Sequence, residues 1–244
     1  MLKETTIETL NALKLYGMAR ALPARLADAG QADLRHADFI GLLVQDEKTD
    51  RDNRRLKRLL TRARLKQDAA MENLDYRHPR GLHKQVMLEL ASPAWVEAGR
   101  NVILTGPTGV GKSYIACALG NMAARAGLPV FYIRASRLFD ALAGARADGS
   151  HLRLMQKYAK NKLLIVDDFM ITPLSEAARV DFLELIEDRG GAGATVITSQ
   201  CPTKEWHPSI GDPTIADAIC DRLLHHAYKI ELRGESMRKR QRQN

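Results

Sequence analysis

Chemistry in this chain starts at Gly106-Pro107-Thr108-Gly109-Val110-Gly111-Lys112-Ser113, which fits the pattern G-x-x-x-x-G-K-[ST]. Backbone amides of such a glycine-rich turn curl around phosphate oxygens, and the helix that follows adds the positive end of its dipole. Lys112 would reach the β- and γ-phosphates, and Ser113 would hold Mg²⁺ through its hydroxyl. Tyr114 is counted with them among the nucleotide contacts. A chance match would lack the right flanks. Here Asn101-Val102-Ile103-Leu104-Thr105 has the β-branched bias of a strand, and Tyr114 to Arg125 carries Ile115, Leu119 and Met122 at helical spacing. Strand, loop and helix together predict that the chain binds a nucleoside triphosphate.

The run Leu163-Leu164-Ile165-Val166-Asp167-Asp168 is a buried-type strand ending in two carboxylates. An acid at the carboxyl end of such a strand stands in the crevice where open α/β sheets bind ligands. Asp167 would hold Mg²⁺ through water, and Asp168 would polarise or orient the attacking water as general base. Asp pairs also close ordinary strands, but downstream of a phosphate loop the functional reading outweighs that one. Ser199 and Gln200 end another strand at the same edge. They could contact the γ-phosphate or the attacking water, or simply cap the next helix; the residues themselves favour neither. Arg222 on a helix and Arg238 after the last strand could each be a phosphate contact or a solvated surface charge. An arginine delivered to the phosphates is worth on the order of 10³–10⁵ in rate.

These residues need a scaffold, and the second half of the chain supplies an alternating pattern. Strands are predicted at 102–105, 130–133, 163–167, 195–199 and 228–232, with helices between them, notably 175–189 and 214–227. Such alternation implies a parallel sheet covered on both faces. Residues 1–66 read as a helical domain and 67–244 as the α/β domain. One apolar stripe runs from Ile7 to Leu26 past Gly17, a polar break falls at Gly30-Gln31, and a second stripe runs from Phe39 to Leu60. The middle of that second stripe, Gln45 to Arg55, is nearly all polar, so it is either solvated or a surface for a partner. The chain of 244 residues suits one sizeable core with a small appendage. Cys117, Cys201 and Cys220 form neither a zinc pattern nor a disulfide framework, and His225-His226 suits a helix end better than a metal. With no leader-like segment and no apolar run near the roughly 20 residues of a membrane span, a cytoplasmic protein is expected.

A formal net charge of +8 points to a polyanionic partner. Arg51, Arg54, Arg55, Lys57, Arg58, Arg62, Arg64 and Lys66 crowd one helical stretch, where helical spacing puts Arg51, Arg55, Arg58 and Arg62 along one side. Lys157, Lys160 and Lys162 form a second group, and the tail from Arg238 to Arg242 a third. Aromatic residues are not interleaved among them. The pattern therefore predicts duplex DNA held by its backbone with little sequence reading, rather than stacked single strands.

Several segments resemble the IstB family, AAA+ helper ATPases of bacterial insertion-sequence transposition related to the DnaC-like helicase loaders. They are Leu13-Lys14-Leu15-Tyr16-Gly17-Met18-Ala19, Asn73-Leu74-Asp75-Tyr76, Asp167-Asp168-Phe169, Thr198-Ser199-Gln200, Ala216 to Leu223, and Gly234-Glu235-Ser236-Met237-Arg238-Lys239. The resemblance implies a P-loop AAA+ core with a five-stranded parallel sheet sandwiched by helices, a small all-α domain before it, and no full C-terminal lid. It implies ATP hydrolysis, with Ser199 and Gln200 at the sensor-1 position, Arg222 as a finger acting on a neighbouring subunit's ATP, and Arg238 at sensor 2. Leu74 and Tyr76 would lie near the adenine. The implied task is ATP-driven assembly of a homo-oligomer on duplex DNA, bending of that DNA, and recruitment of a partner transposase. The alternative is a loader of a replicative helicase that favours single strands. Met170 departs from the family pattern, which more often has Gly there, and the second acid is Asp168 where many AAA+ ATPases have Glu.

Overall fold

The computed structural model describes residues 2–28 and 34–237; the expected break at Gly30-Gln31 and the basic tail from Arg238 lie outside them. The chain divides into two compact units, Met1–Arg58 and Leu59–Asn244.

In the first unit the single stripe expected from Ile7 to Leu26 is two helices, α1 (Leu2–Ala12) and α2 (Tyr16–Ala27). Lys14 adopts a left-handed backbone (φ 61°), so the chain turns there and not at Gly17. Gly17 serves a different need: a Cβ there would come within 2.6 Å of the Cα of Glu47. Glu47 lies on α3 (His36–Ala63), one helix of 28 residues whose last turn belongs to the second unit. The polar middle of α3 is neither idle nor simply solvated. Its carboxylates fasten α2: Asp46 takes Arg25 through two bonds of 2.8 and 2.9 Å, and Asp50 takes Arg20 at 2.7 Å. Buried Glu47 accepts the amides of Gly17 (2.6 Å) and Met18 (3.2 Å), which the first turn of a helix leaves without partners.

In the second unit, α4 (Lys84–Leu90) and α5 (Ala94–Glu97) precede β1 (Val102–Thr105). There follow α6 (Lys112–Arg125), β2 (Val130–Arg134), α7 (Ala135–Ala147), α8 (His151–Ala159), β3 (Leu163–Phe169), α9 (Glu176–Arg189) and β4 (Ala194–Ser199). The chain then forms α10 (Trp206–Ile210), α11 (Pro213–Leu224) and β5 (Tyr228–Glu231). All five expected strands form one parallel sheet in the order β2-β3-β4-β1-β5. Side chains alternate along each strand. Val102, Leu104, Leu163, Ile165 and Val196 pack against α6 on one face, while Ile103, Leu164, Val166 and Ile197 meet the core built by α7 to α11 on the other. Asp212 caps α11 by accepting from the Ile215 amide, with Pro213 at its first turn. That helix, expected to reach Ala227, stops at Leu224 because His226 turns into the left-handed region (φ 57°) before β5. Among the described residues no helix is long and apolar enough to cross a membrane.

Candidate nucleotide site

The loop Gly106–Ser113 joins β1 to α6 at the carboxyl edge of the sheet. Gly106, Gly109 and Gly111 all have positive φ, at 137°, 91° and 100°. None of the three has room for a side chain: a Cβ on Gly106 would strike the Leu232 carbonyl, one on Gly109 the Ser236 hydroxyl, and one on Gly111 the buried Arg80 guanidinium. The segment after β5 is therefore packed onto the loop, with the Met237 amide donating to the Gly109 carbonyl at 2.9 Å. Arg80, itself buried, braces the loop from beneath through the Val110 carbonyl (2.9 Å) and holds the Asp75 carbonyl at 3.1 Å. Lys112 donates to the carbonyls of Gly106 (2.7 Å) and Pro107 (2.8 Å). Burial pushes its ammonium below the usual lysine range, against the pull of Asp168 and Asp167. Beside the loop opens a cleft of about 590 Å³, lined among others by Thr108, Lys112, Ser113, Asp168 and Gln200.

Asp167 lies under this cleft, fully buried. Its Oδ1 accepts the hydroxyls of Ser113 (2.7 Å) and Thr198 (2.6 Å), while Oδ2 accepts the Tyr132 hydroxyl and the Lys66 ammonium (3.4 Å). Burial alone would push this carboxyl up; the bonds from Thr198, Tyr132 and Ser113, with the charge of Lys66, outweigh burial and hold it below the ordinary range. It is therefore ionised at neutral pH. Two carboxylate oxygens and a serine hydroxyl make a hard-oxygen set of the kind Mg²⁺ takes, and the glycine cradle with Lys112 fits a triphosphate.

Asp168 faces the cleft, 3.9 Å from the Arg134 guanidinium. Its backbone is left-handed (φ 61°) and its amide donates to Thr198 Oγ1 at 2.9 Å. Thr198 thus orients both acids at once. Met170 also adopts φ 61°, the conformation a glycine takes without cost, so the departure noted at this position leaves the turn shape intact at some strain.

The structure sorts the other expected residues. Gln200 lines the cleft, but Ser199 is buried and donates to the Phe169 carbonyl (2.7 Å), a bond that closes the β3–β4 bulge. Leu74 and Tyr76 pack against the core, and the cleft is lined instead by their neighbours Asn73 and Asp75. Arg222 is not among the lining residues of its own chain's cleft; it pairs with Glu187 on α9 at 2.7 Å. Arg238 lies outside the described residues, directly after Met237, which does line the cleft. Of the basic groups, Arg51 and Arg54 are tied to carboxylates, at 2.6 Å to Glu47 and 2.7 Å to Asp50. Arg55, Arg58 and Arg62 are exposed, as are Lys157 and Lys160. Lys157 and Arg64 lie over the same Phe131 ring, 5.5 and 5.9 Å from its centroid, which joins the second basic group to the end of α3. Sequence reasoning gave Lys66, Arg80, Tyr132, Arg134 and Thr198 no role at this site. Arg134 had a signal, since it follows a predicted strand at the edge where Asp167 was found.

The chain is similar to known ATP-binding proteins of insertion sequences. The family model for the IstB-like ATP binding protein matches residues 8–244. An insertion sequence ATP-binding protein of Sinorhizobium fredii is 45% identical over 242 residues, covering 99% of both chains. The ATP-binding protein of insertion sequence IS1162 from Pseudomonas fluorescens is 43% identical over 204 residues, 83% of this chain and 88% of its own. Among solved structures, the DnaC helicase loader superposes with a TM-score of 0.55 at 17% identity, over 67% of this chain and 96% of its own, a likeness of fold.

Proposed function

The chain belongs to the family of IstB-like ATP-binding proteins, and from that premise we propose that it is an AAA+ ATPase of insertion-sequence transposition. Holding ATP, copies of it assemble on duplex DNA, bend it and bring a partner transposase to the site. The observation that carries the ATPase reading is the bond from Ser113, next to the loop lysine, to Asp167 at 2.7 Å, with Asp168 beside it in the cleft.

In this reading the loop amides and Lys112 hold the β- and γ-phosphates, and Ser113 and Asp167 would hold Mg²⁺. Bound there, the metal neutralises charge on the phosphate oxygens. Asp168 orients the attacking water and accepts its proton, kept in register by Thr198. Gln200 contacts the γ-phosphate from the cleft wall, and Arg238 takes the sensor-2 role towards the same phosphates. Adenine contacts pass from Leu74 and Tyr76 to Asn73 and Asp75. Arg222, turned away from its own cleft, serves a neighbour's γ-phosphate, which makes ATP the adhesive between subunits. Hydrolysis then dismantles the array. Arg55, Arg58, Arg62, Lys157 and Lys160, all exposed, meet the DNA backbone, and Arg51 and Arg54 also hold Glu47 and Asp50.

The test compares labelled duplex and single strands with the full chain, Mg²⁺ and a non-hydrolysable ATP analogue. Duplex binding should require the analogue, and about six phosphate contacts would give a slope of roughly −5 for log K against log salt. A clear preference for single strands would instead favour a helicase loader, whose fold this chain shares. Arg222→Ala should bind ATP normally yet lose at least about 10³ in turnover; hydrolysis at the native rate would refute the role in trans.

A further inference from the structure

The donors around Asp167 bear on how a metal is admitted. A carboxylate offers roughly four acceptor positions, two on each oxygen. Here Thr198 takes Oδ1, Tyr132 and Lys66 take Oδ2, and the Ser113 hydroxyl is shared between them, at 2.7 Å from Oδ1 and 3.0 Å from Oδ2. A metal-bound water needs one of these positions, so one donor must yield. Thr198 is fully buried and bound on its other side to the Asp168 amide. Tyr132 is buried between β3 and α6, and Ser113 belongs to the metal's own ligand set. Lys66 differs on every count. Its contact is the longest at 3.4 Å, its side chain is 24% exposed, and it lines the cleft on a flexible four-carbon stem.

The backbone beneath Lys66 is fixed, by contrast. Leu65 sits in a hollow on α6 that exists because residue 120 is glycine: a Cβ there would come within 2.8 Å of Leu65 Cδ2. Movement is thereby confined to the lysine side chain.

We infer that Lys66 is an exchangeable counter-ion of Asp167: it neutralises the buried carboxylate and gives up that place to Mg²⁺ brought with the nucleotide, swinging out into the cleft. This rests on the reading of Ser113 and Asp167 as the metal site. One cation replaces another, so the carboxylate is never left buried and unpaired, the state that burial penalises most. Lys66 therefore competes with the metal.

The experiment uses Mn²⁺ as a spectroscopically visible probe, titrated by electron paramagnetic resonance into the full chain with a slowly hydrolysed ATP analogue. Lys66→Met should lower the half-saturating Mn²⁺ concentration by roughly three- to tenfold, and Lys66→Arg should stay near the native value. An unchanged or raised half-saturation in Lys66→Met would overturn the exchange, since a mere brace or phosphate ligand predicts weaker binding. Lys66→Gln, checked by thermal melting, repeats the measurement if the methionine variant folds poorly. Asp167→Asn separates the two levels of the argument. Native Mn²⁺ binding in that variant would refute the metal site itself; lost binding there, without tightening in Lys66→Met, would refute only the exchange.

Discussion

The two compact units hold their charges in opposite ways. In the N-terminal unit, charge is fastened by opposite charge: Arg20 to Asp50, Arg25 to Asp46, Arg51 to Glu47 and Arg54 to Asp50. Among the described residues of the second unit, four of the five buried ions are surrounded mainly by neutral groups, while the fifth, Asp181, is held by Arg146 and His151. Asp167 has three hydroxyls, Lys112 has two loop carbonyls, and Arg80 has two more. Arg189, 2% exposed, donates to the carbonyls of Tyr158, Ala159, Asn161 and Ala194 and to the Thr195 hydroxyl. The contrast suits the proposed function. Ion pairs on a helical surface are screened by salt and can exchange partners, which fits the proposed contact with a polyanion. Dipoles fixed by the backbone keep a charge oriented without reorganisation, which fits the proposed phosphoryl transfer.

The largest effect should come from removing a charge held by dipoles. Burial pushes the Arg189 guanidinium down to about 10, a cost its five acceptors offset. Arg189→Met keeps much of the volume but strands carbonyls at the end of α8 and the start of β4. We expect a loss of roughly 3–5 kcal/mol in denaturant unfolding. A loss near that of a surface change, about 0.5 kcal/mol, would mean that neutral ligation of ions matters little here.

Next is Thr198→Val, which keeps the shape and removes one hydroxyl. Asp167 loses a donor and the Asp168 amide loses its acceptor. Stranding that amide should cost about 1–3 kcal/mol, and nucleotide-dependent Mn²⁺ affinity should fall about 10- to 100-fold, as for other residues that orient metal ligands. Affinity within twofold of native would show that Asp167 is positioned without it. Thr198 also marks where reading the sequence stops. The phosphate loop, all five strands and Asp167 were legible because each depends on local pattern: glycine spacing, apolar runs, an acid closing a strand. Strand order is not local. Only the insertion of β4 between β1 and β3 sets Thr198 opposite Asp167, and nothing in the alternation of strands and helices announces it. Leu74 and Tyr76 stand in an irregular segment, where residues facing the core cannot be told by periodicity from those facing the cleft. Lys66 looked like one more charge in a basic run; its meaning comes from Gly120, more than fifty positions away.

The smallest effect, and the sharpest test of the contrast, concerns Glu47. Burial would raise its carboxyl, but Arg51 and the amides of Met18 and Gly17 hold it below the ordinary range. A depressed folded value means that its contribution is complete above the unfolded value of about 4.3 and is lost as pH falls through the folded one. Glu47→Gln keeps an acceptor for the helix amides and removes only the charge. At pH 7 it should cost the N-terminal unit about 1 kcal/mol, read as faster amide exchange along α2 with β3 and β4 unchanged. Acidification below the folded value should erase the difference, because the native residue is then neutral as well, and high salt should shrink it by screening Arg51. A difference that persists in acid would assign the cap to shape instead of charge, and the division between the two units would then fail at the residue where it is drawn most finely.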